Sequence, residues 1–426
     1  MKVPTTTQLA QLLGPGFSLS PGGASAATAG TAAVVSPRDA EQVSDVLRLA
    51  THQGWAVDVR GSGTKPEWGP ALTRCDLVLD TSWLNRLVEH EPGDLVCVVG
   101  AGMRLGQLQQ MVGGAKGYRQ RLMLDPPQGG SSTVGGLIAT RAAGPLRNRY
   151  GTMRDLLLGA QFVLADGTIA RTGGKVVKNV AGYDLDKLLV GSLGTLAVVV
   201  EAALRLHPLG EARRAVLFEG ADPERAQEFL GRLRRAAVVP IKVEALWPER
   251  AIFVQFESSA EGAQRQAELA QGLAAGCQIL DPEREAWWET TMAGRPWQRP
   301  GVVLGVSVPL EATRNLLGEV EKLAARGVDC ELSLRAAIGV GELRMSAEKD
   351  TVVEVRGAVE EWGGFVEIHR APPQLRDLGS VPRDPVAREL AAAVKAALDP
   401  SATLAPGRLD LGSGNPWAPL AEVSRG

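Results

Sequence analysis

The stretch SPRDAEQVSDVLRLATHQGWAVDVRGSGTK, residues 36–65, sets the reading of the fold. Its first half carries Ala40, Val43, Leu47 and Ala50 at helical spacing on one face. Ser36 reads as the N-cap, Pro37 as the first turn, Asp39 as completing a capping-box pattern and Gly54 as the stop. The strand AVDVR follows and runs into RGSGTK, so a helix, a strand and a glycine turn stand in direct succession. Gly61 and Gly63 let that turn point backbone N–H groups inward at a diphosphate, and the hydroxyls of Ser62 and Thr64 add donors. An ordinary tight turn would read much the same, so the decision falls to what surrounds it.

Working outward, further strands read at DLVLD (76–80), DLVCVVG (94–100), LLLGAQFVLAD (156–166) and TLAVVVEAALRLHP (195–208). Glycine-rich turns, not long crossover helices, separate them. The run VVGAGMRLG (98–106) imitates a dinucleotide fingerprint, but its spacing is GxGxxxG and a helix and three strands precede it without a crossover. Three other glycine-rich segments can approach a ligand. DPPQGGSSTVGGLIATRAAG (125–144) places Gly135 and Gly136 at a helix start, where anionic oxygen is favoured. GPLRNRYGTMRDLLLG (144–159) ends its loop with Tyr150 and Gly151 before a strand. GGKVVKNVAGYDLDKLLVGSLGTLAVVVEAALRLHP (173–208) sets Gly191, Ser192, Gly194 and Thr195 just before a long apolar strand.

After Pro208 short strand-like runs alternate with amphipathic stretches in the order βαββαβ, and the same order recurs from Gly301 to Arg370. A structural duplication follows, giving a largely antiparallel sheet covered by helices. REAWWETTMAGRPWQRP (284–300) fits neither copy and reads as a connecting or lid segment. Its Trp287, Trp288 and Trp297 could cover a ligand, with packing between the copies as the weightier reading.

The totals narrow the function classes. A chain of 426 residues with 45% hydrophobic content builds two or three packed units. Lys+Arg of 46 against Asp+Glu of 48 leaves a net charge of -2, which argues against nucleic-acid binding. The start MKVPTTTQLAQLLGPG lacks a signal-peptide core and no apolar run reaches membrane-spanning length, so a cytoplasmic protein is expected. Cys75, Cys97, Cys277 and Cys330 form no CxxC pair, so neither a zinc nor an iron-sulfur site is expected in this chain.

VRGSGTKPEWG, STVGGLIATRAAGPLRNRYGTMRDLLLG, the segment 173–208 and the late PGRL (406–409) resemble the FAD-binding family typified by vanillyl-alcohol oxidase and p-cresol methylhydroxylase (PCMH). Within it they look most like the E-subunit branch of bacterial glycolate oxidase. The resemblance implies an α+β chain: an N-terminal segment (1–26), a two-lobed PCMH-type FAD-binding domain (27–208), and a cap or substrate domain (209–426) of antiparallel sheet plus helices with ferredoxin-like repeats. Arg60, Gly61, Ser62, Gly63, Thr64 and Lys65 would cradle the FAD pyrophosphate. Pro127, Ser132, Thr133, Gly135, Gly136 and Thr140, with Gly144, Tyr150 and Gly151, would line the isoalloxazine and ribityl chain. Gly191, Gly194, Thr195 and Val199 would hold the adenosine half, and Arg408 would reach the ring from the second domain. Thr64 and Lys65 stand where covalent members carry a linking His, so the FAD is expected to be noncovalent.

Oxidising a 2-hydroxy acid on flavin needs a cation for the carboxylate and a base for the hydroxyl proton. Arginines are too many to discriminate, whereas there are only four histidines. His52 and His90 read as solvated and His207 as structural, which leaves His369, beside Arg370, as the candidate. The histidine-rich metal and substrate motifs of catalytic D-lactate and 2-hydroxyglutarate dehydrogenases are absent. The leading expectation is therefore an FAD subunit of a glycolate oxidase type complex, working with a second flavoprotein and an iron-sulfur subunit on glycolate or lactate. A self-sufficient FAD-dependent hydroxy-acid dehydrogenase and a non-catalytic assembly subunit are the alternatives.

Overall fold

The computed structural model describes residues 3–21, 33–114, 117–175, 183–292, 294–376 and 385–409; residues 176–182 of the fourth glycine segment thus lie outside it. The opening stretch forms the helix Ala40–Gln53 and the strand Val57–Arg60. The N-cap is Asp39, whose Oδ1 accepts from the Gln42 amide at 2.8 Å, and not Ser36. Ser36 is the last residue of the strand Ala33–Ser36, where it pairs with Ser18, so the sheet had already claimed it. Val43, Val46, Leu47 and Ala50 bury the helix face.

In the amino-terminal lobe a first sheet orders its strands Ser18–Ser20, Ala33–Ser36, Leu77–Asp80, Val57–Arg60, the last three mutually parallel. A second sheet, antiparallel throughout, runs Leu87–Glu91, Val96–Gly100, Val198–Arg205, Leu157–Val163, Ile169–Gly173. Its two outer strands, LVEHE and IARTG, were not expected from sequence. They are half-exposed edges that need no continuous apolar run. Val198 and Val200 face the first sheet's core, while Val199, Ala202 and Leu204 face the other. A register slip between Val199 and Glu201 allows both, and there the Val200 carbonyl accepts from the Ala101 amide. The fingerprint-like run supplies the strand Val96–Gly100 of this antiparallel sheet. A Cβ on Gly100 or Gly102 would strike the backbone of Leu84 or Thr81, so these glycines serve chain packing.

The second lobe is one eight-stranded antiparallel sheet made of two βαββαβ copies. The first orders its strands Cys277–Ile279, Ala212–Glu219, Ala251–Ser258, Lys242–Trp247, and the second Cys330–Arg335, Val340–Met345, Val302–Ser307, Phe365–Arg370. The copies join where Lys242–Trp247 pairs with Cys330–Arg335, strand two against strand two. Helices Pro223–Arg235, Ala260–Gln271, Thr313–Ala325 and Lys349–Glu361 bury Phe229, Leu230, Leu316, Val320 and Val355 in a shared core. Each such side chain contributes about 1.5–3 kcal/mol.

The tryptophan segment divides. Trp288 packs on the first copy against Leu217, Leu246 and Phe253, and not between the copies, while Trp287 is exposed. Trp297 stacks on Trp68 of the amino-terminal lobe at 5.2 Å. After the second copy the chain returns to that lobe. Val394 and Leu398 of the helix Pro385–Leu398 pack on the second sheet's core, and Leu404 bridges Val57 in parallel.

Candidate functional site

The strand Val57–Arg60 releases the chain into a cleft of about 110 Å³. Its floor is the turn Gly61 to Lys65. Among the described residues none of the five backbone N–H groups of that turn donates a hydrogen bond. The Ser62 hydroxyl is buried without a partner, as is Nη2 of Arg60, whose Nε is held by Asp58 at 2.7 Å. The two buried orphans, Ser62 Oγ and Arg60 Nη2, each cost about 1–3 kcal/mol without a partner, and beside the unbonded amides of a partly exposed turn they suit an anionic acceptor. Lys65 reinforces this. Its Nζ donates to Ser132 Oγ at 2.6 Å and forms no ion pair among the described residues; burial pushes its pKa down to about 8.

The opposite wall is the helix Val134–Thr140. Contrary to the sequence reading, its first amides are not available to an anion. Val134 N donates to the Met103 carbonyl, Gly135 N to that of Ala101, and Gly136 N to Thr133 Oγ1. The helix offers Thr133, Gly135, Gly136, Ala139 and Thr140 as a surface instead. Ser192, Leu193, Gly194, Ala197 and Val199 close the third side. Arg408 closes the fourth; its Nη1 donates to the Trp68 carbonyl at 2.5 Å and Nη2 to that of Pro66 at 2.8 Å.

A second cavity, of about 390 Å³, opens between the lobes and shares Trp68, Thr140, Leu193 and Arg408 with the cleft. Gly191, Arg141 and Arg147 line it from one side, and Gly305, Ser307, Arg335, Glu342, Glu367 and His369 from the other. The His369 ring stacks on Trp68 at 4.2 Å, 9° from parallel. Its Nε2 lies 3.5 Å from Glu367 Oε2. Burial works to raise the Glu367 pKa, but the His369 contact and the Arg141 and Arg147 charges outweigh it and hold it below the ordinary value. An ionised carboxylate only accepts, so Nε2 carries the ring proton. Nδ1 is buried and makes no hydrogen bond among the described residues.

Of the residues expected from sequence, the cleft gathers Arg60, Gly61, Ser62, Gly63, Thr64, Lys65, Thr133, Gly135, Gly136, Thr140, Gly194, Val199 and Arg408. Gly191 and His369 line the second cavity. Six cofactor expectations fall outside both linings. Ser132 stands behind the turn, bonded to Thr64 and Lys65. Pro127 packs near Gly294, and Gly144 is pressed on the Asp125 carbonyl. Tyr150 and Gly151 sit at the end of a one-turn helix, with the Tyr150 ring 5.0 Å from that of His207. Thr195 is buried, giving its hydroxyl to the Ser192 carbonyl. Arg370 is also spoken for: it donates to the carbonyls of Gly301, Trp297, Pro296 and Arg299, which leaves it no fork for a carboxylate. His52 is exposed, whereas His90 lies on an edge strand bonded to buried Gln120. Sequence reasoning did not single out Asp58, Trp68, Thr81, Leu193 or Arg147, although Trp68, Arg147 and Leu193 lie inside the quoted segments that carry the resemblance.

Comparison with known proteins agrees with this geometry. Residues 31–173 match the family model described as FAD binding domain. A D-lactate dehydrogenase of Archaeoglobus fulgidus is 42% identical over 176 residues, covering 41% of this chain and 38% of its own length. Glycolate oxidase subunit GlcE of Escherichia coli is 28% identical over 257 residues, covering 60% of this chain and 69% of its own. Across the relatives of highest similarity the match spans 38% to 45% of the relative's length. Among solved structures, alkyldihydroxyacetonephosphate synthase superposes with a TM-score of 0.65 at 15% identity, over 88% of this chain and 77% of that one, a likeness of fold. The amide-lined turn and the lysine beside it fall within residues 31–173, the stretch that matches the FAD binding domain model.

Proposed function

We propose that this chain is the FAD-carrying subunit of a glycolate oxidase type complex and takes part in oxidising a small 2-hydroxy acid to the 2-oxo acid. One observation carries the reading: a diphosphate cradle whose far end, at Trp68 and Arg408, is also the wall of a cavity lined by arginines and a histidine. The free amides of Gly61 to Lys65 and the Lys65 ammonium hold the pyrophosphate. Among the described residues no His or Cys lines the cleft, which supports noncovalent binding. When bound, FAD supplies the acceptor for the substrate's hydride. Nδ1 of His369 takes the hydroxyl proton, and the Glu367 carboxylate offsets the charge the ring then gains. Arg370, held by four carbonyls, is replaced in its expected role.

The similarity to GlcE supports the complex, with a second flavoprotein and an iron-sulfur subunit as partners on the cytoplasmic side. Among the described residues no His, Cys, Asp or Glu group is arranged to hold a metal, and no helix is long and apolar enough to cross a membrane. The free Nδ1 of His369 favours a second reading, a self-sufficient dehydrogenase. Anaerobic addition of glycolate or D-lactate to the purified chain separates the two: bleaching by the chain alone supports the second. Purified protein without a visible flavin band defeats both.

A further inference from the structure

The cavity between the lobes carries formal positive charge that its own residues do not fully neutralise. Four arginines line it: Arg141, Arg147, Arg335 and Arg408. Arg335 is held by Glu342 through both terminal nitrogens and donates to the Ala143 carbonyl at 2.8 Å. Arg141 reaches Glu367 at 3.4 Å. Arg408 donates to the carbonyls of Trp68 and Pro66. The Arg147 guanidinium, alone of the four, makes no hydrogen bond or ion pair among the described residues. It sits on the one-turn helix Arg147–Tyr150, which the Gly144 carbonyl and the Asp125 carboxylate hold at the cavity wall through the amides of Arg147 and Leu146. Burial, then Arg335 and Arg141, lower its pKa, with Glu342 and Asp155 opposing. A half-buried guanidinium pressed by two like charges is stabilised by an incoming anion.

Resting on the proposed function, we propose that Arg147 is the anchor for the substrate carboxylate and that it selects acids with a single carboxylate. The guanidinium fork accepts one carboxylate through two parallel hydrogen bonds, a geometry that a lysine does not reproduce. A second carboxylate finds no second free fork, because Arg141, Arg335 and Arg408 are each engaged. It would have to draw Arg141 from Glu367, the carboxylate that faces His369, so the discrimination is built into the pairing. His369, Glu342 and Glu367 face Arg147 across the cavity, which leaves the two carboxylates to repel any further negative charge.

The test titrates the full chain with pyruvate, its uncharged methyl ester, and 2-oxoglutarate. Intrinsic tryptophan fluorescence reports on the apo chain, because Trp68 lines the cavity, and visible flavin perturbation reports on the FAD-loaded chain. Pyruvate is expected to bind more tightly than the ester and than 2-oxoglutarate. Arg147→Gln should weaken pyruvate by about 10- to 100-fold, the loss of a charged bidentate contact. Arg147→Lys should recover part of the loss, and FAD affinity should stay near wild type because Arg147 lies outside the cleft. Equal pyruvate binding by wild type and Arg147→Gln, or 2-oxoglutarate binding as tight as pyruvate, overturns the assignment while the FAD reading stands. A chain that takes up no FAD sinks the functional reading, yet the fluorescence arm still decides the role of Arg147.

Discussion

Lys65 Nζ lies 2.6 Å from Ser132 Oγ, and this half-buried ammonium has hydroxyls for company and no carboxylate within ion-pair distance among the described residues. That contact places the charge at the mouth of the Gly61 to Lys65 turn. Lys65→Met should weaken FAD by more than about 10-fold with the fold intact, as read by flavin fluorescence titration and circular dichroism. The pH course follows from its pKa of about 8 in the free chain. A bound pyrophosphate favours the charged form, so FAD affinity should fall as pH rises through 8 in the wild type and stay flat in the variant.

Gly61 and Gly63 fail differently. A Cβ on Gly61 would lie 2.0 Å from Thr133 Oγ1, the N-cap oxygen of the neighbouring helix, so Gly61→Ala should lower the melting temperature as well as FAD affinity. Gly63 has φ of +66° with open space around it. Gly63→Ala should cost about 1 kcal/mol in stability. Gly63→Asp should abolish FAD binding, by setting a negative charge at the pyrophosphate, with no larger thermal shift. Equal FAD binding by Gly63→Asp and wild type would show that the turn holds no diphosphate.

His369→Gln separates chemistry from binding. Removing a general base costs about 100- to 10,000-fold in the chemical step. Flavin reduction by the substrate, in the complex or alone, should slow to that extent with FAD affinity unchanged. A variant that keeps the wild-type reduction rate would leave His369 as a stacking partner of Trp68 only.

Glu244 is fully buried at the junction of the two copies, with Ser333 donating to Oε1 and no partner at Oε2. Burial, opposed by Arg335 and Ser333, pushes its pKa up from 4.5 to about 7. The folded chain therefore keeps a proton that the unfolded chain has released between those values. The stability this contributes is complete below pH 4.5 and is lost as pH rises through 7. Glu244→Gln should melt near wild type at about pH 4 and higher than wild type at about pH 8, as thermal denaturation across pH would show.

Lys395 donates to Asp399 and to the carbonyls of Thr195 and Leu404, with both charged groups buried. Asp399 in turn accepts from the amides of Thr403 and Leu404. Asp399→Ala takes the carboxylate away from a buried ammonium and should cost about 3–5 kcal/mol by denaturant titration. FAD affinity should fall in parallel, since Thr195 follows Gly194 of the cleft lining and Leu404 bridges Val57, whose strand leads into the turn.

The fold was legible where the sequence repeats a physical pattern. The two βαββαβ copies announce themselves through alternating strands and amphipathic helices, and the helix ending at Gly54 through its apolar face and stop signal. Edge strands such as Ile169–Gly173 were not, because a half-exposed strand has no apolar run to betray it. The site divides the same way. The turn Gly61 to Lys65 is local chemistry and could be read from six residues. Arg147 could not, since what distinguishes it is the pairing of Arg141, Arg335 and Arg408 elsewhere, a property of the folded cavity. Arg370 misled for the same reason: its neighbours in sequence suggested a site, but its partners in space are backbone carbonyls.

The return of residues 385–409 to the amino-terminal lobe bears on biosynthesis. Leu404 completes the edge beside Val57, the Lys395–Asp399 pair locks beneath Thr195, and Arg408 seals the cleft. All three are translated after both copies of the second lobe. A nascent chain holding only the first half therefore lacks the Leu404 partner of Val57 and the fourth side of the cleft, and the cradle is complete only once residue 408 has left the ribosome.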